Sequence, residues 1–122
     1  MVSAANPKLR RFARGTRVVI HLLGGLLWVA FAFPCLSVDR RRRIRYRWSS
    51  ELLQHFGFTL KIEGALPTDA GLIAANHVSW IDIFAVNALM PVAFVSKDDL
   101  IRWPIIGTLA SHNETIFLQR GS

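Results

Sequence analysis

The sequence predicts an α/β protein: an N-terminal membrane helix and a basic amphipathic helix, then a layered sheet in which strands alternate with helices. Three observations carry this. Residues 18–38 contain no Asp, Glu, Lys or Arg. Directly behind them stands Arg40–Arg43, "RRRR", opening a stretch whose apolar residues recur every four positions. Beyond Gly57 the period drops to two, and short apolar runs then alternate with helical patterns, the signature of α/β layering.

Composition narrows the partners. Of 122 residues, 52% are hydrophobic, a high share for a small soluble domain, and part of that content is expected to face lipid. The formal charge is +7, but its distribution matters more. Residues 1–47 hold 11 of the 15 Lys and Arg and one acid, Asp39. The remainder is slightly acidic, so the basic balance belongs to the N-terminal third. Beside an apolar run, an arginine block is explained by anionic membrane lipids, at about 1 kcal/mol per residue, and no nucleic-acid partner is expected. A single cysteine, Cys35, excludes an intrachain disulfide and reads as a small buried hydrophobe.

Taken in order, residues 1–17 form a basic arm carrying Lys8, Arg10, Arg11, Arg14 and Arg17. Residues 18–38 form the membrane-embedded segment. At about 1.5 Å per residue they cover roughly 30 Å, the thickness of a hydrocarbon core. Both flanks are basic. The second is heavier and favours a cytoplasmic location for the C-terminal two-thirds of the chain. A hairpin dipping into one leaflet, bent at Gly24, Gly25 or Pro34, is the alternative. His21 is expected to be a neutral imidazole at the lipid–water boundary. Residues 39–56 form an interfacial helix with the stripe Ile44, Trp48, Leu52, Phe56, widened by Leu53, and Gly57 ends it. Arg47, Glu51 and His55 fall on its polar side.

From residue 57 to residue 122 the layered domain is expected. "FTLKIE" alternates as a strand with one wet face, and "ALPTDAG" is a loop. "GLIAAN" suits a strand buried on both faces. A helix comes next over "WIDIFAVNAL", closed by Pro91. "VAFVS" is a strand, "DLIRWPIIGTLASH" two short helical pieces, and "TIFLQR" a last strand.

The stretch "AANHVSWIDIF" places Asn76, His77 and Asp82 in this apolar context. His77 falls in a strand-to-helix turn at the sheet edge, where α/β proteins collect ligands. Asp82, on the first helical turn, can reach back to one imidazole nitrogen and leave the other available as a general base. Ser79 to Asp82 also fits a capping box, in which the carboxylate serves backbone N–H groups only. On spacing alone the two readings weigh equally. No HExxH, CxxC or glycine-rich phosphate loop occurs, and a metal site lacks a third ligand at a recognisable spacing.

"NHVSWIDIF" resembles the NHx4D motif of the glycerolipid acyltransferases, most closely the 1-acylglycerol-3-phosphate acyltransferases. "VSKDDLIRWPIIGTLASHNETIFLQRGS" is similar to the block that comes after it in that family. The resemblance covers roughly residues 58–122. The resemblance implies transfer of an acyl chain from acyl-CoA or acyl-carrier protein to the hydroxyl of a lysophospholipid, with no other cofactor and no metal. His77 would be the base and Asp82 its orienting partner. Arg120 and Lys97 would meet the acceptor's phosphate, and Asn76 would support the turn. A bacterial inner membrane, with the catalytic part cytoplasmic, is implied as the location. Two departures stand out: Glu114 occupies a position where the family often has glycine, and the family's third and fourth blocks do not occur before Ser122. The expectation is therefore an N-terminal portion with an incomplete sheet. The alternatives are a non-catalytic membrane-binding module and a metal-dependent lipid hydrolase.

Overall fold

In the computed structural model, which describes residues 6–119, helices dominate and a two-stranded parallel sheet closes the chain. The first helix, α1 (Pro7–Leu27), begins at Asn6, whose Oδ1 accepts from the Lys8 amide at 3.0 Å, with Pro7 in the first-turn position where its missing N–H costs nothing. It runs unbroken through Gly24 and Gly25. A π-helical turn (Trp28–Ala32) and a 3₁₀ turn (Phe33–Cys35) come next, where Pro34 stops the ladder. The 29 residues from Pro7 to Cys35 are long and apolar enough to cross a membrane. Cys35 is exposed, not buried as its apolar context suggested, because it sits at the reversal of the chain.

After that reversal, α2 (Val38–Phe56) runs back along α1. His21 of α1 meets Trp48 of α2, and the Arg14 side chain lies against Gly57 at the far end. The helix ends in a Schellman motif: Gly57 takes φ +82°, its N–H donates to the Gln54 carbonyl, and that of Phe58 donates to the Leu53 carbonyl. Its most buried line is Arg45, Ser49, Leu52 and Leu53, one residue round from the stripe expected. The reason is tertiary. Trp48 leans on α1 while Phe56 reaches the third helix, so the line between the two neighbours is buried deepest.

Close approach of α1 and α2 depends on Gly25. A Cβ there would fall 2.5 Å from Nε1 of Trp48, whose indole also donates to the His21 carbonyl at 3.1 Å. Small residues at such points let helix backbones approach in membranes. Gly25→Ala is therefore expected to cost about 1–3 kcal/mol, the usual penalty of overpacking a filled site. Denaturant unfolding in detergent, followed by circular dichroism, checks this; a wild-type midpoint would contradict the packing.

His21 packs between α1 and α2. Its ring stacks on Trp48 with centroids 4.8 Å apart, and its Nε2 donates to the Trp48 carbonyl at 2.9 Å. Glu51 and His55 turn toward it as well, with Glu51 Oε2 at 3.9 Å and the His55 ring at 5.0 Å. Glu51 stays exposed on the polar side expected of it, whereas His55, expected to be solvated, is half-buried.

Residues 58–80 form no strand. Both predicted strands, "FTLKIE" and "GLIAAN", lie exposed in extended or irregular backbone. Alternation or apolarity selects a strand only when a neighbouring ladder accepts its N–H and C=O groups, and none pairs with them among the described residues. The helix α3 (Ile81–Asn87) comes next, then β1 (Val95–Lys97), a 3₁₀ turn (Asp98–Arg102), α4 (Pro104–His112) and β2 (Ile116–Leu118). The strands pair in parallel, Val95 opposite Ile116 and Lys97 opposite Leu118. This is one βαβ unit, so the layered α/β expectation is met only there.

The candidate active site

The turn before α3 is built by its own polar groups. Asp82 Oδ2 accepts from the Val78 amide at 2.7 Å and the Ser79 amide at 2.8 Å. Ser79 Oγ accepts from the Ile81 amide at 3.2 Å, and the Asp82 amide donates to the Ser79 carbonyl. The carboxylate thus binds backbone donors left over at the helix start, as a capping box does. The same Oδ2 lies 3.4 Å from His77 Nδ1. The capping half of the two readings is thus observed, and the same oxygen lies close to the histidine. The His77 contact is longer than a charge-assisted hydrogen bond, as is common before substrate closes a site. A proton on Nδ1 facing Oδ2 leaves Nε2 as the imidazole's acceptor. The His77 side chain is 64% exposed, so Nε2 is reachable.

Electrostatics accord with the geometry. The Ser79 and Val78 amides, in that order, hold the Asp82 carboxyl below its ordinary value of 3.8; burial opposes them weakly and His77 adds the smallest contribution. Because the folded value is depressed, the stabilisation is present above the ordinary value and is lost as pH falls through the depressed one. The Val78 and Ser79 amide resonances should therefore titrate with a midpoint below 3.8. A midpoint at or above it would mean that the carboxylate does not hold this turn.

Behind the turn, rings connect the site to the helical hairpin. Trp80 meets Phe56 at 5.6 Å and Phe84 at 5.7 Å, and Phe84 meets Trp48 at 5.6 Å. Trp80 makes these ring contacts while remaining 55% exposed. Each contact is edge-on, the arrangement aromatic quadrupoles favour. The His77 turn is thus fastened to α2, and through Trp48 to α1.

The other predicted site residues are placed less closely. Asn76 is exposed, and its side chain has no hydrogen-bond partner among the described residues. Lys97 ends β1 and is exposed. Arg120 lies outside the described residues. Two shallow depressions, one bounded by Ser50, Leu53 and Phe58 and one by Arg43, Tyr46 and Pro91, include neither His77 nor Asp82. Among the described residues there is no group of three or more His, Cys, Asp or Glu able to hold a metal ion.

Sequence reasoning missed one constellation. Glu114 takes φ +56° and receives Arg42 through Nε at 3.0 Å and Nη2 at 2.7 Å, and Arg45 through Nη2 at 3.0 Å. Its only signal in the sequence is an acid where glycine is frequent. These bonds, chiefly that to Arg42, hold the Glu114 carboxyl below its ordinary range, against some burial.

The family model for acyltransferases matches residues 57–122, more than half the chain. The chain belongs to the acyltransferase family. Relatives include the lyso-ornithine lipid O-acyltransferase of Pseudomonas aeruginosa, 36% identical over 117 residues, or 93% of this chain and 45% of that protein. The 1-acyl-sn-glycerol-3-phosphate acyltransferase of Neisseria gonorrhoeae is 45% identical over 51 residues, covering 42% of this chain and 20% of that protein. A second lyso-ornithine lipid O-acyltransferase, from Rhodobacter capsulatus, is 41% identical over 64 residues, 52% of this chain and 23% of that protein. This acyltransferase chain therefore spans less than half the length of the curated relatives it matches. No solved structure matches it significantly.

Proposed function

We propose that this chain carries the proton-transfer part of a site that moves an acyl group from a thioester, acyl-CoA or acyl-carrier protein, to the free hydroxyl of a lysolipid. The supporting observation is His77 Nδ1 lying 3.4 Å from a carboxylate that is itself fixed by two backbone amides, with the His77 side chain largely exposed. The lysolipid hydroxyl oxygen attacks the thioester carbonyl carbon as His77 Nε2 takes its proton. Asp82 steadies the imidazolium. The C–O bond forms, the C–S bond breaks, and the departing sulfur takes the proton back. The thioester is already activated, so no acyl-enzyme is required. Lys97 and Arg120 are the proposed partners of an anionic group on the acceptor, with Asn76 supporting the turn.

For the acceptor, 1-acylglycerol-3-phosphate is the reading drawn from the motif blocks. A second, lyso-ornithine lipid, is favoured by how much more of this chain the relatives bearing that name cover. The site is proposed to work at a bacterial inner membrane from the cytoplasmic side. α1 and the π-helical turn after it leave Val19, Leu23, Leu27 and Phe31 exposed, an apolar surface that suits lipid. Arg40, Arg43 and Arg47 of α2 are exposed and suit anionic head groups.

The test is thiol release from acyl-CoA by the purified chain in mixed micelles, with lysophosphatidic acid, with lyso-ornithine lipid, and with neither. Release that depends on one acceptor supports the reading and names the acceptor. Lipid association with no acceptor-dependent release would favour a membrane-binding module instead, and release abolished by chelation would favour a metal-dependent hydrolase.

A further inference from the structure

Glu114 is the feature that the proposed chemistry leaves unused. A left-handed backbone at a residue with a Cβ costs roughly 1–2 kcal/mol, and glycine would avoid it. Here that cost accompanies an ion cluster joining positions 72 and 69 residues apart in sequence. Arg45 is 7% exposed, its Nη1 donates to the Asn113 carbonyl at 2.7 Å and its Nη2 to Glu114, while Nε has no partner among the described residues. A buried guanidinium stays charged, so it needs an anion beside it. Arg42 closes the other side of the same carboxylate with two parallel N–H bonds, the geometry in which arginine binds carboxylate most firmly.

The cluster occupies a position of consequence. Asn113 and Glu114 end α4 and turn the chain into β2, and the Ile116 amide donates to the Phe94 carbonyl at 2.7 Å, at the start of the strand pair. β1 carries Lys97 at its end, and β2 runs on toward Arg120 in the sequence. α2, which supplies both arginines, also carries Trp48 and Phe56 against the aromatic group behind His77.

We propose that Glu114 is a positioning residue: its carboxylate, gripped by Arg42 and Arg45, locks the turn into β2 onto α2, and so sets the strand pair that bears Lys97 relative to the helix that supports His77. The acceptor half of this, the part of Lys97 in acceptor binding, rests on the function proposed above; the lock itself does not. Two arginines of α2, the exposed Arg42 and the buried Arg45, are on this reading fasteners, not membrane contacts.

Glu114→Gly separates the lock from backbone preference, because glycine relieves the left-handed turn while deleting the carboxylate. If Glu114 is a lock, hydrogen exchange at the Ile116 amide, measured in detergent micelles, should quicken about tenfold in Glu114→Gly and Glu114→Gln alike, the loss of one to two charge-assisted bonds. Exchange unchanged or slower in Glu114→Gly would overturn the lock. Arg45→Met combined with Glu114→Gln should be non-additive, since both remove one interaction; additive effects would also overturn it. For the acceptor half, equilibrium binding of lysophosphatidic acid and of acyl-CoA to Glu114→Gln is compared with wild type. About tenfold weaker acceptor binding with acyl-CoA unchanged is expected. Equal losses for both, or none, would reduce Glu114 to a structural residue. Exchange and binding need no turnover, so an inactive chain would count against the proposed function and leave this inference to its own readouts.

Discussion

Replacing His77 with alanine should lower acceptor-dependent thiol release by about 10²–10⁴-fold, the usual contribution of a positioned general base. The loss should fall on kcat with the acceptor KM little changed, because in the proposed mechanism the imidazole acts on the proton in flight and not on the head group. Asp82→Asn should reduce kcat less. An amide oxygen can still accept from the Val78 and Ser79 amides, so the turn persists, but the negative charge beside the imidazolium is lost. Asp82→Ala should do more damage than Asp82→Asn, since it also leaves those two amides without their acceptor. A His77→Ala chain that retains wild-type turnover would remove this histidine from the mechanism.

Trp48→Ala should be the most destabilising single change in the helical part. The indole stacks on His21, donates to the His21 carbonyl, covers Gly25 and meets Phe84 edge-on. Truncating a large aromatic costs about 3–5 kcal/mol, and the ring is only half-buried, so about 3 kcal/mol is expected. Trp48→Phe keeps most of the packing and loses the N–H, and should cost about 1 kcal/mol. Unfolding in detergent, followed by circular dichroism, distinguishes the two. The same Trp48→Ala chain should lower thiol release even though residue 48 touches no reacting atom, because Phe84 and Trp80 transmit its position to the His77 turn. If stability fell and turnover per folded molecule did not, the aromatic connection would be packing alone.

Much of the site is legible in the amino-acid sequence. The spacing of His77 and Asp82 across a turn into a helix implies the geometry, because a carboxylate on the first helical turn reaches back toward the residues preceding it. That the capping oxygen is also the one near His77 Nδ1 is not legible, since it depends on the turn's backbone donors converging. The segments 58–63 and 71–76 show the opposite limit: their apolar patterns are plain, yet neither is a strand. A strand is a property of two chain segments, and no pattern within one segment supplies its partner.

His55 departs from expectation, and His21 and Arg45 find partners that local sequence does not name, for a related reason. Local context assigns each by the character of its immediate neighbours, yet each is decided by a residue at least 27 positions away or by a neighbouring helix. Local sequence sets period, caps and breaks: Pro7 and Asn6 start α1, Gly57 ends α2, Pro34 forces the reversal. These are contacts over one to five residues, and their free energies do not depend on the rest of the fold. Which face of α2 is buried, which arginine turns inward and what holds Glu114 in a left-handed turn were decided only when α1, α3 and the turn before β2 closed around one helix. The physical cause is that burial and charge pairing belong to surfaces in contact, and those surfaces exist only in the folded chain.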